Sequence, residues 1–441
     1  MKKTFLLLLG IILAATAGAQ VWDGTTTQVW DGTTSPWTAG SGTQNDPYLI
    51  ENASQLAHLS KLVKAGETYE GKYFKLTDNL DMGADKGLKF DPIGFFDEYV
   101  DQENGNQLVD ASKYFLGVFD GNGKTIDNIH IYYVDPNPNN SVGGTGLFAC
   151  ISGNAEVKNL TVGAKSKVEG LDVTGTFVGA MKGGKLTNCV SYASMDISGG
   201  MGQAGIVGNV FGGEVSQCVN HGTIDAQMNI GGIAGYVDLD GKVTNCYNTG
   251  SIACKGMFAG GIVGYLPQGT VTGCYNVGKV SADAYYSGAV IGSYDDGVQV
   301  SDCFYLKMAD AAFDETPGVT AKTADEMKSA EFIAQLDNGQ DIWTADTKNI
   351  NGGYPVLKWQ NSEATSISGL TTADESGIAV NGHYVSAKYD KPCRITVSTI
   401  DGKTVADGVV NGGRVYVPAE GLYIVNVYSG NSRQSHKIIV K

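Results

Sequence analysis

Five short words, LTNCV at 186–190, SQCVN at 216–220, TNCYN at 244–248, TGCYN at 272–276 and SDCFY at 301–305, decide how this chain folds. Their cysteines, Cys189, Cys218, Cys246, Cys274 and Cys303, are 29, 28, 28 and 29 residues apart, and Leu160 in VKNLTV occupies the same slot 29 residues earlier. A second word runs in step ahead of each cysteine: FVGAM around Gly179, GIVGN around Gly208, GIAGY around Gly235, GIVGY around Gly264 and AVIGS around Gly292. Two motifs sharing one period mark a solenoid, because a unit this short cannot bury its apolar side chains without neighbours above and below.

Each unit is broken by several glycines and carries Val, Ile, Thr and Tyr in short runs, which disfavours helical repeats. The expected fold is mainly β, a parallel β-solenoid of ~28-residue coils, with equivalent residues one strand spacing of roughly 4.8 Å apart. Inward slots should then repeat as columns. The cysteine slot does so, and Met195, Ile224, Ile252 and Val280 form a second apolar column, with Met308 as its next expected member. The glycines of the GIVG words would supply positive φ or close backbone approach.

The words GLFA (from Gly146), GIVG and GIAG, with variants of V-T-N-C-Y-N-x-G, resemble the GLUG repeat of bacterial surface proteins over residues 146–305. That resemblance implies a structural module and no particular reaction. The pieces SGTQNDPYLI, GKYFKLTDNLDM, PIG and FDGNGKTI resemble the segment that precedes such repeats, so residues 37–145 are expected to cap the array and form its first coils. Within them Asn52 and Gln55 open a helix whose Leu56, Leu59 and Val63 share one face, and Asp120–Gly123 is the strongest turn signal. Residues 306–360 read as the closing cap, with Thr323 and Glu326 as the capping box of a helix carrying Met327, Ala330, Ile333 and Leu336.

The ends carry addresses. MKKTFLLLLGIILAATAGAQ has a basic start, an apolar run and a small-residue exit, the pattern of a signal peptide (1–19) cut between Ala19 and Gln20. The duplicated QVWDGTTT/QVWDGTTS follows, a flexible arm over 20–36, or one lying on the first coils, that carries Trp22 and Trp30. A Ser/Thr-rich linker (361–376) leads to 377–441, which alternates like a small antiparallel β-sandwich. Its VSTIDGKTV, PAEGLYIVNVYSG and terminal KIIVK look like a type A sorting domain of the type IX secretion system, with Lys403 where arginine is commoner. That resemblance implies delivery to the cell surface through the secretion machinery.

A formal charge of −15 argues against nucleic acid and anionic lipid as partners. No stretch approaches the ~20 apolar residues a transmembrane helix needs. Eight cysteines in an exported chain suggest disulfides, yet stacked cysteines have parallel Cβ vectors, so a reduced buried thiol ladder is expected for the five in register. No CxxC or histidine cluster points to a metal, and no cofactor motif occurs. Asp97, Asp101 and Glu103 in the acidic insert lack the spacing of an EF-hand loop and read as a solvated loop.

Two constellations bear on function. Asp196 and Asp225 should point outward one coil apart, a separation close to the ~5–5.5 Å of retaining glycosidase carboxylates, but with no His, Arg or Lys suited to the work nearby they read as solvated turn carboxylates. Tyr236 and Tyr265 follow the GIAG and GIVG words, and Tyr247 and Tyr275 follow their cysteines. Either column would make a sugar-binding strip, or merely stack to stabilise neighbouring coils. The resulting expectation is an exported, non-catalytic surface protein for adhesion or glycan binding, with a glycan or a host or surface protein as partner. A polysaccharide-degrading enzyme on the same scaffold and a structural spacer are the alternatives.

Overall fold

A computed structural model describes residues 28–361, except 102–106, 134–142, 198, 283–285, 309–310 and 313, and residues 378–440, except 382–383, 388–392, 400–402, 411–413, 418–420 and 430–431. The Ala19–Gln20 junction, Trp22, Glu103 and nearly all of the linker lie outside the described residues. The chain divides into two units, Met1–Asn361 and Ser362–Lys441.

The first unit is mainly β, a parallel solenoid of about eight coils. One coil shows the plan: strands Ala234–Asp238, Lys242–Thr244 and Tyr247–Asn248 line one large sheet, and Ile252–Gly260 crosses the other sheet before the next coil begins. Successive coils pair in parallel with Val207↔Ala234↔Val263↔Ile291 in one column and Val215↔Val243↔Val271↔Val300 in another. Leu160 pairs with Cys189, as the spacing requires. Met195, Ile224, Ile252 and Val280 are in register and buried. Met308 does not extend that column, because the chain has left the coil by then; instead the Ala312 amide donates to the Val280 carbonyl at 3.1 Å.

The residue before each column member turns the chain. Asn159, Asn188, Gln217, Asn245, Gly273 and Asp302 all have φ between 51° and 64°, the left-handed region that Asn, Asp and Gly enter most readily. The turn leaves the next amide facing inward, where sulfur serves it. The Cys218 N–H donates to Cys246 Sγ at 3.3 Å and the Cys246 N–H to Cys274 Sγ at 3.4 Å. Each thiol of the ladder in turn lies 3.2–3.5 Å from the carbonyl two residues earlier. Cysteine is therefore a small hydrophobe that also satisfies a buried amide. All seven cysteines among the described residues for which a state is defined, the five of the ladder with Cys150 and Cys254, are free and buried.

The N-x-G of the repeat has its own geometry. Asn220 donates to Asn248 and Asn248 to Asn276, each at 2.8 Å, inside the core. Each also donates to the carbonyl of the glycine two residues on, whose amide returns a bond to the asparagine oxygen. A Cβ at Gly250 would stand 1.9 Å from the Gly222 carbonyl oxygen, so only glycine lets the coils stack there. The glycines of the GIAG and GIVG words at 235 and 264 likewise serve close approach and not positive φ.

At the start of the array the helix Ala53–Lys64 is capped by Asn52, whose side chain accepts from the Gln55 amide, and it buries Leu56, Leu59 and Val63. The repeat arm is docked where it is described: Trp30 is buried edge-on to Phe90, its amide bonds to the Asp81 carbonyl at 2.9 Å, and Val29 bridges Asp81. Of the two expectations for the 20–36 arm, the described part takes the second and lies on the first coils, where the indole covers apolar surface. Asn122 and Gly123 do turn with positive φ, but around a solenoid corner within Val118–Asp127 and not in a hairpin. The acidic insert is a hairpin, Glu98–Asp101 with Gln107–Asp110, rather than a loose loop. It is pinned by a Glu98–Lys182 ion pair and by Phe96 and Tyr114 against Cys150, Val173 and Ala180.

At the far end Val319–Lys322 adds a parallel strand to Cys303–Leu306. The Thr323–Glu326 capping box is present, yet the expected single helix is two, Ala324–Met327 and Ala330–Asp337, because Ser329 forms a second N-cap. The following segment runs back along the side of the solenoid. Phe332, Leu336, Trp343 and Leu357 pack on Val219, Tyr247, Tyr275 and Phe304 of four successive coils.

The second unit has a three-stranded and a four-stranded antiparallel sheet around Val385, Ile395, Val397, Val415, Val417, Tyr423, Val425 and Val427. Arg394 and Asp407 form a two-point ion pair across neighbouring strands, at 2.8 and 2.6 Å.

Candidate functional site

Asp196 and Asp225 are register partners on neighbouring coils, as expected. The surroundings were not foreseen: Lys255, on the next coil, reaches Asp225 Oδ1 at 2.7 Å. That hydrogen bond, with the field of both aspartates, raises the Lys255 pKa. The lysine is thereby held protonated and has no lone pair to act as a base. The cluster is an exposed ion pair on an open sheet, with two carboxylates answered by one ammonium. Among the described residues no three His, Cys, Asp or Glu side chains converge as a metal site.

The two tyrosine columns have opposite fates. Tyr247 and Tyr275 stack face to face at 5.0 Å and 2°, fully buried under the closing segment. Asn351 donates to the Tyr275 hydroxyl at 2.6 Å, that hydroxyl donates to the Pro355 carbonyl, and the Tyr247 hydroxyl donates to Gln360 at 3.1 Å. As a sugar-binding strip this pair is corrected: their ring faces are covered, and they anchor the cap.

Tyr236 and Tyr265 sit on the uncovered outer face of the large sheet, in register, with centroids 5.5 Å apart and rings at 74°. Inward Val237 and Leu266 beside them point the tyrosines outward by strand alternation. Phe211 continues the patch on one side, 5.8 Å from Tyr236. Phe258 stacks on Tyr265 at 4.9 Å and 20°, and on Tyr286 at 5.3 Å and 30°. Tyr286 is 55% exposed. The patch thus spans four coils, about 14 Å along the axis at one strand spacing per coil.

Carboxylates hold its phenols. The Tyr236 hydroxyl donates to Asp238 at 3.1 Å, and the Tyr265 hydroxyl lies 3.0 Å from both oxygens of Asp295. Partial burial, reinforced by Asp238, pushes the Tyr236 pKa up to about 12, and burial followed by Asp295 raises that of Tyr265. Both phenols remain protonated donors, leaving oxygen lone pairs and carboxylate edges toward solvent.

Phe258, Tyr286, Phe211, Asp238 and Asp295 were not singled out from the sequence. A signal for Phe258 exists once the coils are aligned: it shares a register position with Gly202 and Asn229, two residues of the kind that accept positive φ.

Comparison with known proteins finds one matching motif and two relatives that align over part of the chain, and assigns no activity. A "Putative Gly-rich membrane protein" of Evansella cellulosilytica is 31% identical over 153 residues, 34% of this chain and 14% of that protein. "Halomucin" of Haloquadratum walsbyi is 30% identical over 190 residues, 41% of this chain. The chain spans only 14% and 2% of the lengths of these relatives. A crystal structure titled as a putative immunoglobulin A1 protease from Bacteroides ovatus superposes with a TM-score of 0.41 at 21% identity, over 73% of this chain and 94% of that one, and carries no functional inference. Residues 226–253, one coil from Ala226 to Ala253 beside Asp225, match the family described as the GLUG motif.

Proposed function

We propose that this chain is an exported, non-catalytic surface protein whose solenoid presents the Tyr236–Tyr265 face for glycan binding or adhesion. The observation that carries the reading is the aromatic patch itself: ordered rings left uncovered across four coils, while the equivalent apolar column at Tyr247 and Tyr275 is roofed by the cap. Exposed contiguous aromatic surface in an otherwise well-buried protein marks an interaction site. Surface placement draws support from relatives named as a membrane protein and a halomucin, from the amino-terminal signal-peptide pattern ending at Ala19, and from the sorting-domain resemblance of 377–441. The rigid array of parallel coils supplies area rather than a pocket. The Asp196–Asp225 pair, neutralised in part by Lys255, contributes an ion pair to that surface.

The test is incubation of the chain with a panel of polysaccharides, read both by co-sedimentation and by assay for new reducing ends or unsaturated products. Retention on a polysaccharide without turnover is expected. Product release abolished in Asp196→Asn or Asp225→Asn would replace this reading with a polysaccharide-degrading enzyme.

A further inference from the structure

Phe258, like Tyr69, is a bulky aromatic residue with left-handed backbone, at φ 64°. The same register position holds Val173 at φ 32°, Gly202 at φ 77° and Asn229 at φ 51°, so a positive-φ turn recurs along the column, and of these Gly and Asn tolerate it best. Phenylalanine there costs stability, and such a cost persists where the conformation has a use. What the left-handed turn achieves is visible: it lays the Phe258 ring nearly parallel to Tyr265 on one side and to Tyr286 on the other. Packing does not require this, since Phe258 is only half-buried and the core below it is closed by Met257's neighbours Ala259 and Cys254.

The polar rim selects among ligands. Asp238 and Asp295 anchor the two tyrosines, and Asp240 and Asp296 are exposed beside them. Hydrogen-bond acceptors dominate, so the surface matches a ligand rich in hydroxyl donors. A uronate or sulfate would be repelled by carboxylates a few ångströms away. Pyranose rings offer an apolar face to the aromatic rings and hydroxyl groups to the rim.

We propose, resting on the glycan-binding reading above, that Phe258, Tyr265 and Tyr236 form a stacking platform for an uncharged polysaccharide chain, with Tyr286 as its flank and Asp238 and Asp295 as the groups that exclude anionic glycans. Phe258 is strained into place to complete that platform.

Neutral cellohexaose, laminarihexaose and mannohexaose, an anionic hyaluronan hexamer and a cationic chitosan hexamer would be titrated against the full chain by calorimetry and ligand-observed NMR. Binding of at least one neutral hexaose, and no binding of hyaluronan, is expected. Phe258→Gly should weaken that binding about tenfold, the range of one stacked aromatic contact, while the melting temperature stays level or rises because the backbone strain is relieved. A packing role predicts the reverse, a lower melting temperature with binding intact, and that result overturns the proposal. Asp295→Asn should relax the exclusion of hyaluronan. Preference for hyaluronan or chitosan, or no neutral hexaose bound at millimolar concentration, also overturns it. The broader reading survives those results if the chain still adheres to whole cells or polysaccharide, and falls only if turnover or an intracellular location is found.

Discussion

The left-handed residue before each column member and the sulfur after it form a linked device, and its energetics can be tested at Asn245 and Cys246. Asn245→Ile places a β-branched residue at φ 53° and should cost about 1–2 kcal/mol, read by denaturant unfolding. Cys246→Ala removes packing and also the acceptor of the Cys218 amide, so a loss of about 2–3 kcal/mol is expected. Cys246→Asp should abolish folding of the array, because a buried unpaired carboxylate costs several kcal/mol. Burial pushes the thiols of Cys218, Cys246 and Cys274 well above their ordinary range. Thiol reagents should therefore leave the ladder unmodified in the native protein and label it once denatured; disulfide-linked peptides between coils would refute the reduced ladder. His221, stacked on Tyr192 and bonded to Thr249, is pushed down to about 4 by burial. The unfolded chain takes up a proton near pH 6.5 while the folded one does not, so stability falls as pH drops from 6.5 toward 4. The expected loss between pH 7 and 5 is about 1–2 kcal/mol, and His221→Phe should flatten that slope. The column of cysteines was legible in the sequence because one residue type repeats. The turn column was not, because Asn, Gln, Gly and Asp alternate in it and share only a backbone preference.

At the scale of elements, local signals were read well where one residue acts on its own neighbours. The Asn52 cap, the Leu56–Leu59–Val63 face and the Thr323–Glu326 box all depend on contacts within one turn of helix. What escaped depended on contacts distant in sequence. Nothing local to Tyr247 and Tyr275 announces that Trp343 and Phe332 will cover them, whereas Tyr236 and Tyr265, alike in sequence context, stay open. The acidic insert was legible as an interruption but not as a packed hairpin, because its partner Lys182 lies on another coil. Phe332→Asp should therefore detach the cap without dissolving the coils. The expected readout is faster amide exchange across 324–361 and exposure of Tyr247 and Tyr275, while the exchange of Val207 and Val243 is retained. Uniform loss of protection would show that cap and coils unfold as one.

For the whole molecule, the solenoid was legible because its period repeats, and the small antiparallel unit because its strands alternate. The two are compact units in their own right, so a chain ending at Asn361 should keep the unfolding transition of the solenoid. If 377–441 is a sorting domain, the same truncation should hold the protein in the periplasm, and residues 361–441 fused to an exported reporter should carry it to the surface in a host with this secretion route. Normal surface delivery of the truncated chain would remove the basis for that assignment.

The closing segment also changes how the array would bear a mechanical load. In a stack of parallel coils, tension on the last rung peels its hydrogen bonds one at a time, which needs little force. Here Trp343, Phe332 and the bonds from Asn351 and Gln360 tie the exit of the unit to Tyr247, Tyr275 and Phe304 on three different coils. Tension applied at Asn361 is shared among those rungs and loads them in shear. A tether at this end would yield in one high-force step in single-molecule pulling, and in the Phe332→Asp variant in a series of small ones.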